Sequence, residues 1–202
     1  GGVAHDEIKS HAFTFKDNLT GKNLSIRPDI SEQASRIDAY RIQSDEIVRL
    51  CYSGEVVKSK ASKVLRSRTT IQAGAEIFGD SSRESELESI RLMLDSLAIT
   101  GIKEITLSIG HAGFTASVLE PFKQLGSDLF SNIEAAVSRK SKSDLMSLIP
   151  EAFERKKHLI NLCDMYGGRN ILEEAKRAFS YIDNVSDYIE NIDYIAKEIV
   201  KD

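Results

Sequence analysis

Two runs of alternating residues, Ile47 to Lys58 and Arg68 to Phe78, restrict what this chain can become more than any other feature. Each is long enough for a full β-strand, and together they invite a long antiparallel pairing. The connection between them, Ser59 to Ser67, is too long for a tight turn and carries Lys60, Lys63 and Arg66. Within the second run, Gln72, Gly74 and Glu76 share one face, and Ile71, Ala73, Ala75 and Ile77 share the other. A polar pair separated by glycine suits a strand that floors a polar pocket and lets a ligand approach the backbone. The same alternation also describes a solvent-facing strand surface, and pattern alone leaves both readings open.

Upstream, Ala12-Phe13-Thr14-Phe15 and Leu24-Ser25-Ile26 alternate around the turn residues Asp17 to Gly21, which predicts a hairpin. Pro28 biases Arg27 toward extended backbone. Asp29 followed by Glu32 matches a capping box for a helix running through Arg41. Asp29 and Ser31 could equally serve a ligand ammonium, because charge-assisted hydrogen bonds are the strong ones. A second capping box, completed by Glu84, opens an amphipathic helix from Ser81 to Leu97, with Leu87, Ile90, Leu94 and Leu97 on one stripe. Gly101 ends it, and Glu104 to Ile109 reads as a short strand. From about Gly113 onward the pattern is helical, with Phe114, Leu119, Leu125, Phe130, Met165 and Phe179 expected mostly in the core and Gly167-Gly168 as a helix C-cap. The expected class is α+β: an antiparallel sheet flanked by helices over residues 1–113, then a helical part over 114–202.

Apolar residues make up 41% of the 202 positions and charged residues 29%, which excludes a disordered chain. A net charge of −4 spread along the sequence gives no broad nucleic-acid footprint, and none is expected as a partner. The local basic run is the exception: Lys60, Arg66 and Arg68 could meet phosphates or an acidic partner surface, or could simply be a solvated hairpin tip. Cys51 and Cys163 cannot build a disulfide framework or a zinc cluster, and no membrane span or signal peptide is visible, so a reducing, cytoplasmic setting is expected. His5, His11 and His158 lack metal spacing, so no metal or cofactor is expected. His111 has no nucleophile partner in a recognisable elbow and reads as a turn or packing residue. Gly167-Gly168 lacks the pattern of a phosphate loop. The chain opens Gly1-Gly2 without methionine and ends inside a helical pattern, as a piece of a longer polypeptide would.

Arg27-Pro28-Asp29, then Arg49-Leu50-Cys51-Tyr52-Ser53-Gly54, the basic connection and Gln72-Ala73-Gly74-Ala75-Glu76-Ile77-Phe78-Gly79 resemble the catalytic core of histidyl-tRNA synthetases, including motif 2 of class II aminoacyl-tRNA synthetases. Departures are informative. Where those enzymes carry an arginine for the α-phosphate and carboxylate, closely followed by an acidic residue near the adenine, this chain has Lys58-Ser59-Lys60. Lysine lacks the bidentate fork of arginine, and Lys60 reverses a charge. The synthetases also have a longer carboxylate at Asp29 and a threonine at Ser31. With Phe13 to Asp17, Gln33 to Ala39, Ile109 to Gly113 and Leu162 to Ala175, the resemblance extends over nearly the whole chain to the synthetase-like regulatory subunits of ATP phosphoribosyltransferase. Against that family, the opening helix and strand with motif 1 and the closing strands after the helical insertion are absent.

The resemblance implies a class II synthetase-like fold and a non-catalytic role. It implies a hetero-oligomer with the short-form catalytic subunit, self-association, and histidine as feedback effector. By position, Asp29, Ser31 and Gln72 would meet the ligand ammonium, Glu76 the imidazole, and Gly74 would allow close approach. Lys58 would stand where the carboxylate-binding arginine stands. The alternative implication is an active histidyl-tRNA synthetase core.

Overall fold

A computed structural model of the chain describes residues 11–61 and 66–200, so the expectations placed on His5 and Lys63 lie outside the described residues. Packing divides the molecule into two compact units between Ser96 and Leu97. That division precedes the pattern boundary at residue 113, because Thr106 to His111 line a cavity among the later helices.

Among the described residues, the first unit holds two antiparallel hairpins and two α-helices. Strands β1 (Phe13–Lys16) and β2 (Asn23–Ile26) pair around a turn in which the Asp17 carboxylate accepts from the amides of Leu19 and Thr20 and from the Thr20 hydroxyl. Strands β3 (Val48–Val57) and β4 (Thr69–Phe78) pair in a register that sets Leu50 against Glu76, Tyr52 against Gly74, and Gly54 against Gln72. Directly opposed residues share a face, so these six project to one side. The first hairpin docks on the second: Val57 N–H donates to Arg27 O at 3.0 Å and Ser59 N–H to His11 O at 2.7 Å.

Helix α1 (Ser31–Ile37) continues into a π-helical turn, Asp38–Ile42, instead of running regularly to Arg41. Gln43 closes it at φ 49°, its N–H bonding Asp38 O. Ile30 holds the cap position with no side-chain cap bond, its own N–H is taken by Gln72 Oε1 at 3.0 Å, and Asp29 accepts from Ser31 N–H at 2.7 Å. Helix α2 (Arg83–Ile99) is also capped differently from expectation. Ser82 Oγ, not the Glu84 box, accepts the Ser85 N–H at 3.3 Å, because Asp80 holds Ser82 N–H at 2.9 Å and places the start one residue later. Among the described residues of this unit, the apolar Ile30, Ala34, Val56 and Leu87 are buried.

The second unit is helical: α3 (Ala112–Leu119), a 3₁₀ turn (Glu120–Leu125), α4 (Ser127–Ser138), α5 (Lys142–Leu148), α6 (Lys156–Leu162), α7 (Ile171–Ala178) and α8 (Val185–Val200). Its core contains the fully buried Phe122, Ile133, Leu145, Leu159 and Phe179. Phe114 meets Phe179 edge-on at 5.1 Å, and Phe122 stacks on Phe153 at 4.8 Å. Leu125, Phe130 and Met165 pack against this core partly covered. His111 caps α3 by accepting the Phe114 N–H at 3.4 Å, in keeping with the turn reading. Two expectations fail here. Glu104 to Ile109 joins no strand ladder among the described residues, since an alternating run becomes a strand only beside a partner. Gly167-Gly168 does not cap a helix: α6 ends at Leu162 with Cys163 as its cap, and the glycines lie in the loop before α7.

Lys156 is the one fully ionic group sunk in this unit's interior among the described residues, 5% exposed. Its ammonium donates to Met146 O at 2.7 Å, Ile149 O at 2.8 Å and Glu151 Oε1 at 2.6 Å. Two of these bonds satisfy carbonyls at the end of α5, where the helix leaves acceptors without partners. In return the ammonium beside Glu151 holds that carboxyl below the usual carboxylate range.

Candidate functional site

The polar face of the β3–β4 hairpin gathers four of the sequence-predicted residues. Gln72 projects from β4 and binds the start of α1 twice, accepting from Ile30 N–H and donating to Asp29 Oδ2 at 3.3 Å. The amide therefore reads the strand-to-helix junction from across the fold through one Asp29 oxygen, while the other accepts the first helical N–H, that of Ser31. Ser31, in the first turn of α1, lies 2.9 Å from the Tyr52 hydroxyl. Tyr52 in turn donates to Glu76 Oε1 at 3.4 Å. Ser31 and Glu76 are thus no further apart than those two bonds laid end to end. Asp29, Ser31, Gln72 and Glu76 form one half-buried cluster of acceptors and amide.

Gly74 stands directly against Tyr52. A Cβ there would collide with the Tyr52 ring and hydroxyl, so the glycine makes room for tyrosine as the floor of the cluster. Tyr52 is the residue that sequence reasoning missed. Its signal lay in the register: only once Tyr52 is known to face Gly74 does it join Gln72 and Glu76 on one side.

Lys58 is not brought into the cluster. It follows β3, is exposed, and closes the hairpin stem through its backbone N–H to Arg68 O at 2.9 Å. It stands four residues beyond Gly54, about 13 Å along the strand direction. Lys60 and Arg66 are exposed near the same tip, with Arg66 at φ 50°. Arg68 lies over the Phe13 ring at 5.6 Å, a contact that ties the tip to β1.

Chemically, the cluster offers two carboxylates, an amide and two hydroxyls within reach of one small molecule. Such a set accepts from an ammonium and from a ring N–H. A separate cavity of about 1000 Å³ lies in the helical unit. Its walls include Leu107, Ile109, Leu172 and Ala196. Its cations have partners: Arg169 bonds Asp193 at 2.7–2.8 Å, and Lys140 lies over Tyr166 at 4.9 Å. Among the described residues no cluster suits a metal ion, and no helix is long and apolar enough to cross a membrane.

Proteins named ATP phosphoribosyltransferase regulatory subunit are similar over most of the chain. The one from Paracidovorax citrulli (strain AAC00-1) is 32% identical over 197 residues, covering 96% of this chain and 50% of its own. The one from Saccharophagus degradans (strain 2-40) is 34% identical over 193 residues, covering 92% and 49%. The chain spans about half the length of the curated relatives it matches. A crystal structure described as an ATP phosphoribosyltransferase regulatory subunit/histidyl-tRNA synthetase from Bacillus halodurans C superposes with a TM-score of 0.73 at 22% identity, over 93% of this chain and 50% of that one. This likeness is one of fold, and the expected α+β, class II synthetase-like architecture is borne out. The sequence pattern of one family, histidyl-tRNA synthetase, matches residues 2–201. The chain belongs to the histidyl-tRNA synthetase family.

Proposed function

We propose that this chain is part of a non-catalytic regulatory subunit of ATP phosphoribosyltransferase, acting in histidine biosynthesis in the cytoplasm beside a short catalytic subunit. The names of the relatives support the reading. The observation that carries it is Lys58-Ser59-Lys60 where the resemblance puts the arginine and acidic residue of motif 2, ahead of a strand that has Gln72, Gly74 and Glu76. Adenylate formation needs a guanidinium fork on the α-phosphate, and a lysine point charge does not supply it. Histidine is the effector of this reading. Asp29, Ser31 and Gln72 meet its ammonium, and Glu76 meets an imidazole N–H. Feedback then requires histidine to favour one assembly state over another by about 1–3 kcal/mol of coupling. The exposed Lys60, Arg66 and Arg68 offer a basic contact for the partner subunit or for phosphate, and self-association completes the assembly.

The test is made on the full-length protein expressed with a short phosphoribosyltransferase chain. Co-purification, activity that depends on both chains, and inhibition by histidine are the expected results. Histidine-dependent exchange of pyrophosphate into ATP by the isolated protein would instead identify a working synthetase and overturn the reading.

A further inference from the structure

Arg27 is anchored to β3 at both ends. Its carbonyl accepts from Val57 N–H at 3.0 Å, its Nε donates to Glu55 O at 2.7 Å, and its Nη1 donates to Gln33 Oε1 at 3.3 Å. The remaining terminal nitrogen, Nη2, lies over Gly54, where a Cβ would come within 2.5 Å of it. Gly54 is directly opposite Gln72, so the guanidinium stands on the same strand face as Gln72 and Glu76. Nη2 has no hydrogen bond to another described residue, and an arginine has five N–H donors, of which two are used here.

An α-amino acid carries an ammonium and a carboxylate on one carbon. A site that reads both needs acceptors and a donor fork side by side. Asp29, held by Gln72, supplies the acceptor at this level of the strand. Lys58 stands four residues beyond Gly54, about 13 Å along the strand. We infer that Arg27 binds the carboxylate of the amino-acid ligand, taking the part that the family motif would give to position 58. This inference rests on reading the cluster as a histidine pocket. It also accounts for Gly54: any side chain there would push the guanidinium off the face.

The experiment compares histidine with histamine, which keeps the ammonium and imidazole but lacks the carboxylate. Binding to the intact protein is followed by NMR line shifts, which register affinities into the millimolar range. Histidine is expected to bind more tightly than histamine. Arg27→Gln is expected to weaken histidine by about 10- to 100-fold while moving histamine by less than about 2-fold. Arg27→Lys recovers part of the loss. Gly54→Ala, whose added methyl meets only the flexible tip of Arg27 below 3 Å, folds normally and lowers the histidine preference in the same direction. Lys58→Ala leaves the preference intact. Equal loss of both ligands in Arg27→Gln, no change in either, or collapse of the preference in Lys58→Ala would each overturn the inference while leaving the histidine pocket standing. Failure of the unsubstituted protein to bind histidine would remove the pocket reading and this inference with it.

Discussion

At the scale of single residues, the hairpin face shows how one substitution is felt through several bonds. Gln72 uses both ends of its amide, so its truncation frees Ile30 N–H and loosens Asp29 together. Gln72→Ala is therefore expected to weaken histidine binding by about 10-fold or more, with assembly unaffected. Glu76→Gln keeps the shape and removes the charge that an imidazole N–H prefers, and a loss of similar size is expected. Titration of each variant with histidine checks this, and unchanged inhibition in both would place the effector elsewhere. The alternation of Gln72, Gly74 and Glu76 was legible in the sequence because strand parity is local. The second partner of Asp29 was not, because it lies 43 positions away and adds to the local bond from Ser31 N–H. Tyr52 was hidden for the related reason that its neighbours are set by cross-strand register.

Among the elements, the end of α5 is the most exacting, since a buried ammonium replaces the backbone and solvent partners that helix carbonyls ordinarily find. Lys156→Met retains the aliphatic stem but leaves two carbonyls unsatisfied, and a loss of about 2–4 kcal/mol in chemical denaturation is expected. The same contact gives the unit an acid limb. Hydrogen bonding to Lys156 lowers the Glu151 pKa in the folded state, so the folded carboxyl binds protons less readily than the unfolded one. Its stabilising contribution is complete above the ordinary carboxylate pKa and is lost as pH falls through the lowered value. Glu151→Gln is expected to flatten that part of the stability–pH profile, read from unfolding midpoints between neutral and acid pH. Helix existence was legible from periodicity, as α2 shows. Helix starts were not, because Ser82 and Asp80 settle α2 through bonds that several nearby serines could equally have made.

For the molecule as a whole, burial is unequally shared between the two units. Among the described residues, the helical unit encloses the fully buried Phe122 and Phe179 and a continuous apolar cluster, whereas the first unit buries Ile30, Ala34, Val56 and Leu87 and leaves Leu19 95% and Ile71 76% exposed. Hydrogen exchange is expected to be slowest at the amides around Ile133, Leu159 and Phe179 and fastest in β1 and β2, whose short hairpin has little to protect it. Equal protection across both would contradict this account. The sequence made the β-rich and helical halves plain, yet assigned Glu104 to Ile109 to a strand, because alternation reports which residues suit a sheet and says nothing about whether a neighbour is present. The placement of Tyr52 has a practical corollary. This chain has six tyrosines and no tryptophan, and the phenol bonded to Glu76 is the one that touches the cluster. Any guest that claims Glu76 must alter the environment of that phenol, giving occupancy an optical signature in the near ultraviolet without an added dye.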